Sequence, residues 1–589
     1  MKTPSAIKVA RDLRDKVRNS HPDARLGVIL QLNQLSGEKL GALLSDFGAR
    51  QNHHFQNLDT ASVELSAKAV EALAARSEVS FMSLDEDVVK LGHIETTTGA
   101  AAARRVSGQS AFDGTGIGIA VIDSSVFNAH ASFLGADGNK RVVVDRDFTT
   151  SGSSGFADDP YGHGTHVASL AAGSARVTNA STGSTYAGVA PNAKIINLRV
   201  LDTQGKGKTS WLLSALDWVM TNRATYNIRV VNLSLGAPAI ESYKNDPLCK
   251  AVRRLVDAGV VVVAAAGNDG KDAAGQKVYG RIHAPGNEPS AITVGATNTY
   301  GTDARGDDAI ATYSSRGPTR SFWTDASGVK HHDHLIKPDL VAPGNQLVAA
   351  ESKHNTLTNT YPGLNAYSDG NDDHELMYLS GTSMAAPLAA GAAAVMLQAN
   401  PNLTPNMVKA LLMYSAQPLA NFNAFEQGAG QLNVDGALRL ARLVRTDLNW
   451  ATTPLGTALL TGALPTAQTT IAGHTFPWAR GVIFNHTYGT GTNLLTKYQK
   501  IYSMGVLVSD GVLVSDATKM TGVTLSDSIL VSNGTSLGGG TFFLSSGVLV
   551  SDGVLVSDGV LVSDGVLVSD TFTEALSVLV NGDGTASMR

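Results

Sequence analysis

The chain has 589 residues, too many for one small domain, and its length predicts about three or four folded units. Hydrophobic residues make up 43% and charged residues 16%, a composition that supports a large buried core. The formal net charge of −5 is nearly balanced, which argues against a nucleic acid or a membrane surface as the main partner. With a single cysteine, Cys249, the chain forms no intramolecular disulfide.

The first twenty residues are charged and lack the apolar stretch of a secretory signal. No apolar run in the sequence reaches the length of a transmembrane helix, so we expect no membrane span.

The first segment, residues 1–91, alternates strand and helix patterns, which predicts a small α+β sandwich. Residues 92–112 are rich in Thr, Ala and Gly and predict a linker. The predicted strands of the first segment lie at 25–32, 61–65 and 79–84, and the predicted helices at 36–47 and 67–75.

From residue 113 to 440, short and nearly continuous apolar runs alternate with helical stretches. Strands that are apolar on both sides belong to parallel sheets covered by helices on both faces. The segment therefore predicts a doubly wound α/β domain. Its apolar runs lie at 117–122, 194–200, 229–235 and 260–266.

The rest of the chain predicts a C-terminal extension at 441–504 and a β-rich repeat tail at 505–589. In the tail the hexapeptide GVLVSD occurs six times. Asp-Gly every six residues suits a tight meander with two-residue turns. Three hexapeptides could instead form one coil of a β-solenoid, and a poorly folded, aggregation-prone tail is a third alternative. The pattern does not choose among them, and it indicates no function for the repeats.

Three glycine-flanked motifs carry polar residues that can do chemistry together. An apolar strand ends in Asp123, His163 begins a helix of small residues, and Ser383 opens another. Taken singly, these are equally a turn aspartate, a structural histidine and a helix-capping serine. A serine hydroxyl, however, needs a base to take its proton, and that base needs an acid to hold its tautomer. The set therefore predicts nucleophilic catalysis.

The motifs, in the order Asp, His, Ser, resemble those of the subtilases, the subtilisin-like serine peptidases, over about residues 114–440. The resemblance implies a subtilisin-like fold and a serine endopeptidase with Asp123, His163 and Ser383 as its triad. It also implies that Asn268 contributes a side-chain donor to the oxyanion hole. It gives the pocket before the scissile bond two walls, which leave an open slot expected to accept large apolar residues. The wall residues are Ser234, Leu235, Gly236, Ala264, Ala265 and Ala266.

Some features depart from the subtilase pattern. Asp123 is followed by Ser124-Ser125, where glycine is more usual, and residues 320–334 and 351–376 read as insertions. His331, His332 and His334 in the first insertion make a metal site conceivable, but the spacing favours a solvated loop. Subtilases often bind calcium. The sequence assigns no metal ligand, and we expect no cofactor to be needed for the chemistry. The acidic run of the second insertion, Asp369, Asn371, Asp372 and Asp373, lacks the spacing of a recognised calcium loop.

The first segment resembles the propeptide-inhibitor domain of subtilases. This implies a zymogen that cuts itself in the linker, with polypeptide substrates and its own propeptide as partners, at a secreted or cell-surface location. One rival interpretation is an adhesion or scaffold protein with an inactive protease fold, but it would lack a triad or oxyanion residue. Another is an esterase, which would carry a Gly-x-Ser-x-Gly motif that does not surround Ser383.

Overall fold

The chain folds into two compact units, residues 1–90 and 91–589. Each unit has its own buried apolar core. The computed structural model describes residues 8–33, 37–55, 58–85, 93–104, 111–149, 153–154, 156–179, 183–449, 452–454, 456–498, 502, 577–585 and 587–588.

The first unit is a four-stranded antiparallel sheet with helices packed against it. Its strands and helices include those expected from the sequence and two more, the helix Arg11–Asn19 and the strand Arg50–Phe55. That strand is polar and mostly exposed at the sheet edge, so it lacks the alternating apolar pattern by which strands are recognised. The elements in chain order are α1 Arg11–Asn19, β1 Arg25–Leu32, α2 Gly37–Asp46, β2 Arg50–Phe55, β3 Thr60–Ser66, α3 Val70–Ala74 and β4 Val79–Leu84.

The second unit alternates strands and helices. Its strands are β5 Gly118–Asp123, β6 Val142–Asp147, β7 Ser153–Ser154, β8 Lys194–Arg199, β9 Ile228–Leu233, β10 Ala237–Pro238, β11 Val261–Ala265, β12 His283–Ala284, β13 Ile292–Asn298, β14 Ala309–Ile310, β15 Phe322–Thr324, β16 Lys330–His332, β17 Leu340–Pro343, β18 Leu347–Ala350, β19 Asn365–Tyr367, β20 Leu376–Leu379, β21 Gln468–Ile471, β22 His474–Pro477, β23 Gly481–Phe484 and β24 Thr487–Thr490. Its helices are α4 Ile94–Thr97, α5 Ala100–Arg104, α6 His163–Ala172, α7 Thr209–Asn222, α8 Pro247–Asp257, α9 Thr356–Thr360, α10 Thr382–Ala399, α11 Pro405–Ser415, α12 Ala424–Gln427, α13 Val434–Ala441 and α14 Asn493–Thr496.

The main sheet of this unit is parallel except at its ends. Seven strands run parallel in the order β6-β8-β5-β9-β11-β13-β17, while β7 and β14 pair antiparallel with β6 and β13. The predicted doubly wound parallel sheet is thus confirmed. Because β5, β9 and β11 are neighbours, their C-terminal ends bring Asp123, Ser234 and Asn268 to one edge, where such sheets bind ligands.

Two apolar cores cover the sheet, one on each face. Ile119 and Val121 of β5 point into the larger core, which contains α6 and α10, whereas Ala120 and Ile122 point into the smaller core with α7 and α8. This is why the strand reads as a continuous apolar run. Helix α10, Thr382–Ala399, lies between α6 and several strands, and its small residues permit that close packing.

Part of the predicted linker is helical. Within residues 92–112 the structure has α4 and α5, whose residues Ile94, Ala100 and Ala103 are buried in the larger core. The expectation of an extended linker is therefore wrong over residues 93–104. Alanine has the highest helix propensity of all residues, and an apolar face that can be buried stabilises even short helices.

Beyond residue 441 the second unit continues as two β-hairpins, β21–β22 and β23–β24. Phe476, Trp478 and Ile483 from this part are buried in the larger core. The GVLVSD repeats lie outside the described residues. The described chain resumes at residue 577, where residues 577–581 form a short helix.

One helix in the described part of the chain, α10, is long and apolar enough to cross a membrane by length and composition. Of its apolar window, 83% is buried inside the protein. It is the central core helix of the second unit.

Candidate active site

An aspartate and a histidine meet at the edge of the parallel sheet. Asp123 is the last residue of β5 and is fully buried, and His163 is the first residue of α6. Asp123 Oδ1 lies 2.7 Å from His163 Nδ1 and accepts a hydrogen bond of 2.7 Å from the Ser124 N–H. Nδ1 therefore carries the proton, and Nε2 is left as the basic nitrogen.

The start of α6 is held by a second buried aspartate, Asp159. Its Oδ1 accepts hydrogen bonds from Gly162 N (3.0 Å) and Ser124 Oγ (2.8 Å). Its Oδ2 accepts from the backbone N–H and the hydroxyl of Thr165, each at 2.8 Å. Asp159 thus binds the first turn of the helix that carries His163, and burial raises its pKa. Asp159 lies only four residues before His163, but no motif in the sequence marks it as a functional residue.

Ser124, which stands where subtilases more usually have glycine, joins both loops. Its hydroxyl donates to Asp159 and accepts from the Gly164 N–H at 2.9 Å. The next residue, Ser125, has φ of 125°, a conformation that favours glycine. At Gly164 a Cβ would lie 2.1 Å from the Ser125 carbonyl oxygen, so this position admits only glycine.

The two histidines of α6 have opposite electrostatic environments. Burial opposes protonation of His163, but the charge and hydrogen bond of Asp123 outweigh it and raise the pKa of His163 above its ordinary value. Burial lowers the pKa of His166 to about 3. His166 Nε2 bonds to the carbonyl groups of Leu347 and Met377, at 3.0 and 3.2 Å. His166 is therefore a neutral packing residue.

Ser383 is the second residue of α10 and faces the cleft. Its hydroxyl donates to the carbonyl oxygen of Ser234 at 2.9 Å, and Ser234 Oγ donates to the carbonyl oxygen of Ser383 at 2.7 Å. His163 lines the same cleft as Ser383. Hydrogen bonds between a nucleophile and its base often tighten only when a substrate is bound.

The carboxamide of Asn268 is oriented by the residue before Ser383. Asn268 Oδ1 accepts from Thr382 N at 2.9 Å and from Thr382 Oγ1 at 3.1 Å, so its Nδ2 is turned away from Thr382. A Cβ on Gly381 would lie 3.3 Å from Asn268 Nδ2 and 3.6 Å from Ser383 N. The two nitrogens therefore both lie beside Gly381, where donors to an oxyanion would be needed.

A cleft of about 410 Å³ runs past these groups. Its lining includes His163, Asn268 and Ser383. Of the six predicted wall residues, four line the cleft and two do not: Ala264 belongs to the smaller core and Ala266 is buried. Neighbouring residues of strand β11 point to opposite faces, so Ala264 cannot face the cleft together with Ala265. The four that line it are Ser234, Leu235, Gly236 and Ala265.

Two further residues, His283 and Asp269, lie between the walls and were not found from the sequence. The two lie 2.6 Å apart, His283 Nε2 to Asp269 Oδ2, and both line the cleft. Burial opposes ionisation of Asp269, but the hydrogen bond and charge of His283 outweigh it and lower its pKa. A Cβ on Gly236 would lie 3.1 Å from His283 Cβ, and one on Gly267 would lie 2.8 Å from His283 Cδ2. The imidazole therefore fills the space between the two walls.

The insertions stand apart from this chemistry. The first forms the β15–β16 hairpin, where His331 pairs with Asp325 and His332 bonds to the carbonyl of Arg320. The second packs against the loop before His163, with Thr356 N donating to the Pro160 carbonyl at 2.8 Å. No group of three or more His, Cys, Asp or Glu side chains that could hold a metal occurs in the described ranges, so no calcium ligand is assigned.

A profile of the Subtilase family matches residues 114–434, more than half of the chain. The chain belongs to the subtilase family. Serine protease AprX of Bacillus subtilis (strain 168) is 30% identical over 413 residues, 69% of this subtilase and 84% of AprX. Subtilisin E of the same strain is 28% identical over 410 residues, 69% of this chain and 87% of its own. The extracellular serine proteinase of Thermus sp. (strain Rt41A) is 34% identical over 321 residues, 54% of this chain and 60% of its own.

Among solved structures, a cold-adapted subtilisin-like serine proteinase is 30% identical, with a TM-score of 0.36. The match covers 55% of this subtilase and 90% of that chain. The family and the named relatives make this subtilase a serine endopeptidase, a hydrolase of peptide bonds.

Proposed function

We propose that this subtilase cleaves extended polypeptides through an acyl-enzyme, with Ser383 as nucleophile, His163 as general base and Asp123 as the acid that holds His163. The observation that carries the proposal is the 2.7 Å contact between Asp123 Oδ1 and His163 Nδ1 at the cleft that also contains Ser383. It leaves Nε2 as the only imidazole nitrogen able to accept a proton.

In the first step, Ser383 Oγ attacks the carbonyl carbon of the scissile peptide while its proton passes to His163 Nε2. The carbonyl oxygen becomes an oxyanion and is stabilised by Asn268 Nδ2 and Ser383 N–H. Because Thr382 fixes Asn268 before the substrate arrives, little reorganisation is needed when the charge develops.

In the second step, His163 returns the proton to the leaving nitrogen, the carbon–nitrogen bond breaks, and the acyl group stays on Ser383. Water then enters, gives a proton to His163 and attacks the acyl carbon. The collapse of this second intermediate releases the acid and restores the Ser383 hydroxyl. The buried carboxylate of Asp123 stabilises the imidazolium in both steps, as the raised pKa of His163 indicates.

The substrate is proposed to be an extended polypeptide. The segment 234–236 follows β9, and the segment 265–267 begins at the last residue of the neighbouring strand β11. An extended peptide between these two segments can therefore pair with their backbone groups. The side chain before the scissile bond would enter the part of the cleft that His283 and Asp269 line.

We also propose that the enzyme is made as a zymogen and is secreted or exposed at the cell surface. Residues 1–90 form a compact unit with its own core, as an inhibitory propeptide requires. A large parallel sheet folds slowly because its contacts are non-local, so a folding aid has a physical use. The extracellular Thermus relative supports the location. The cut is expected between Lys90 and Ala100.

The test is labelling of the purified enzyme with a serine-directed phosphonate, followed by mass mapping. The label is expected on the peptide that contains Ser383, and Ser383→Ala is expected to abolish both labelling and turnover. Roughly 10³-fold rate enhancement over water can remain from binding and the oxyanion donors alone. Ser214→Ala, at an exposed hydroxyl on α7, is the matched control and keeps full activity. A label on another serine, or wild-type turnover in Ser383→Ala, would refute the assignment.

A further inference from the structure

The C-terminal segment, residues 577–585 and 587–588, lies against the loops that flank the nucleophile. The carbonyl of Leu579 accepts a hydrogen bond of 3.0 Å from the backbone N–H of Ser380. Gln346 Nε2 donates to the Asn581 carbonyl at 2.9 Å, and the Met588 N–H donates to the Gln346 carbonyl at 3.1 Å. The segment thus binds backbone and side-chain groups at one end of the β18–β20 strand pair, where Leu347 pairs with Leu379.

Asp583 and Thr585 anchor the segment further. An oxygen of Asp583 accepts from the Thr312 N–H at 3.0 Å, and its own N–H donates to Asn345 Oδ1 at 2.8 Å. Asn345 Nδ2 donates to Thr585 Oγ1 at 3.0 Å, and that hydroxyl donates to Asn298 Oδ1 at 3.0 Å. Asn345 is buried and bonds to the segment through both its Oδ1 and its Nδ2, so the segment satisfies a group whose isolation would cost free energy.

Leu579 brings the segment into the catalytic cleft. Its side chain is only 7% exposed and lines the cleft together with His163, Thr382 and Ser383. The Ser380 N–H that binds its carbonyl lies three residues before Ser383 and at the end of β20. An extended substrate needs free backbone donors of this kind beside the nucleophile. The segment therefore binds a backbone donor three residues from the nucleophile and places an apolar side chain in the cleft.

We propose that the C-terminal segment is an intramolecular cap that covers the side of the cleft receiving residues after the scissile bond. The inference rests on the proposed function, in which the walls at 234–236 and 265–267 hold the residues before that bond. Leu579 contacts the nucleophile loop from Ser380, outside both walls. An extended peptide that crosses Ser383 must displace the cap, whereas a short substrate that ends at the scissile bond need not.

The cap is suited to reversible opening. Its buried apolar anchors are Leu579 and Met588, and the partly buried Val578 and Val580 pack against the same core. The polar contacts are hydrogen bonds that water or a substrate can replace. Because the segment is tethered, its effective concentration at the cleft can reach the millimolar range, which makes a weak contact an effective competitor. The occupant of this surface is thus a segment of the same chain.

Two glycines in the segment allow a matched test. Gly582 has φ of 53°, and a Cβ there would lie 2.3 Å from Asn345 Oδ1 and 2.4 Å from Ser380 Oγ. Gly584 has φ of 64°, and a Cβ there would meet no heavy atom within 4 Å. Gly582→Ala and Gly584→Ala therefore share the backbone strain, but only the first collides with the catalytic unit and lifts the cap.

The experiment compares the full-length wild type, both glycine variants and a chain truncated after residue 576. Each protein is titrated with the phosphonate, so that rates are expressed per enzyme molecule whose Ser383 can take the label. Two substrates are used: a tetrapeptide p-nitroanilide, and a quenched octapeptide that extends four residues beyond the cut. For the octapeptide, we expect kcat/KM to rise roughly tenfold in Gly582→Ala and in the truncated chain, mainly through a lower KM. Gly584→Ala and all rates on the p-nitroanilide are expected to match wild type.

Unchanged octapeptide cleavage in both Gly582→Ala and the truncated chain would show that the segment is no cap. An equal rise in kcat/KM for both substrates would place the segment elsewhere than on the leaving-group side of the cleft. A fall in kcat/KM for both substrates would make the segment part of the substrate site. Each of these outcomes overturns the proposal. An enzyme that neither takes the label nor cleaves the p-nitroanilide fails the proposed function instead.

Discussion

Asn268 is fixed by hydrogen bonds before any substrate binds. Its Oδ1 is held by Thr382, so Nδ2 points beside Ser383 N. Asn268→Ala is expected to lower kcat by roughly 10²–10³, a magnitude known for the corresponding donor of subtilisin, with little change in KM. The reason is that the donor binds charge that exists mainly in the tetrahedral intermediate. Steady-state kinetics on a peptide ester or amide measures the split, and an unchanged kcat would reduce Asn268 to a turn residue.

His163 sets the pH dependence. Its pKa is raised in the folded protein, and its neutral form is the one that accepts the Ser383 proton. Activity is therefore lost as the pH falls through this pKa and is fully present above it. We expect the midpoint of the acidic limb of kcat/KM above the ordinary histidine value of about 6.5. A profile from pH 5 to 9 on a short substrate measures it, and a flat profile would contradict the assignment.

His283 and Asp269 add a polar pair to the lining of the cleft, beside the uncharged wall residues expected from the sequence. In the double variant His283→Ala/Asp269→Ala, the preference for Phe over Ala before the cut is expected to rise by about tenfold. The reason is that the loss of both side chains leaves room for an aromatic ring. His283→Ala alone leaves an unpaired carboxylate and should instead favour Lys or Arg there. A peptide-library profile measures both preferences. Identical profiles in wild type and variants would show that His283 and Asp269 do not contact the side chain before the cut.

At the scale of elements, helix α6 depends on a side chain that precedes it. Asp159→Asn replaces an oxygen that accepts from Thr165 by an N–H₂ group that cannot accept. We expect a loss of about 2 kcal/mol in the free energy of unfolding, and a lower kcat with KM nearly unchanged, because His163 shifts. Asp158→Asn, whose Oδ1 accepts from the adjacent Asp159 N–H, is the control and should change neither quantity. A variant that loses stability but keeps wild-type kcat would limit Asp159 to a structural role.

The elements that the sequence predicts well are those with one clear periodicity. Strand β5 reads as a continuous apolar run because both of its faces are buried, and α10 is a helix of small residues because it packs at the centre of the core. The polar edge strand β2, the four-residue helix α4 and the alanine-rich helix α5 escape such patterns. Edge exposure removes the alternation in the strand, and tertiary burial stabilises the two short helices.

At the scale of the whole molecule, autoprocessing is the prediction that involves both units. Wild-type protein is expected to lose about ninety to a hundred N-terminal residues, a span set by the change in fold pattern. Ser383→Ala should accumulate uncut, because the same hydroxyl makes the cut. Intact-mass measurements on both proteins, purified with other proteases inhibited, test this. Cleavage of the Ser383→Ala protein at the same site would mean that another protease makes the cut. A wild-type protein that is active but uncut would mean that residues 1–91 are an appendage and not a propeptide.

The sequence by itself determined the parallel sheet, the order of the three motifs and the residues that form the Asp123–His163 contact, because apolar runs and glycine-flanked polar residues are local signals. Only the tertiary structure decided which of the wall residues face the cleft, that His283 and Asp269 line it, that Asp159 holds α6, and that Leu579 enters from the far end of the chain. These contacts join residues remote in sequence or depend on which way a side chain points. Neither property leaves a periodic trace in the sequence.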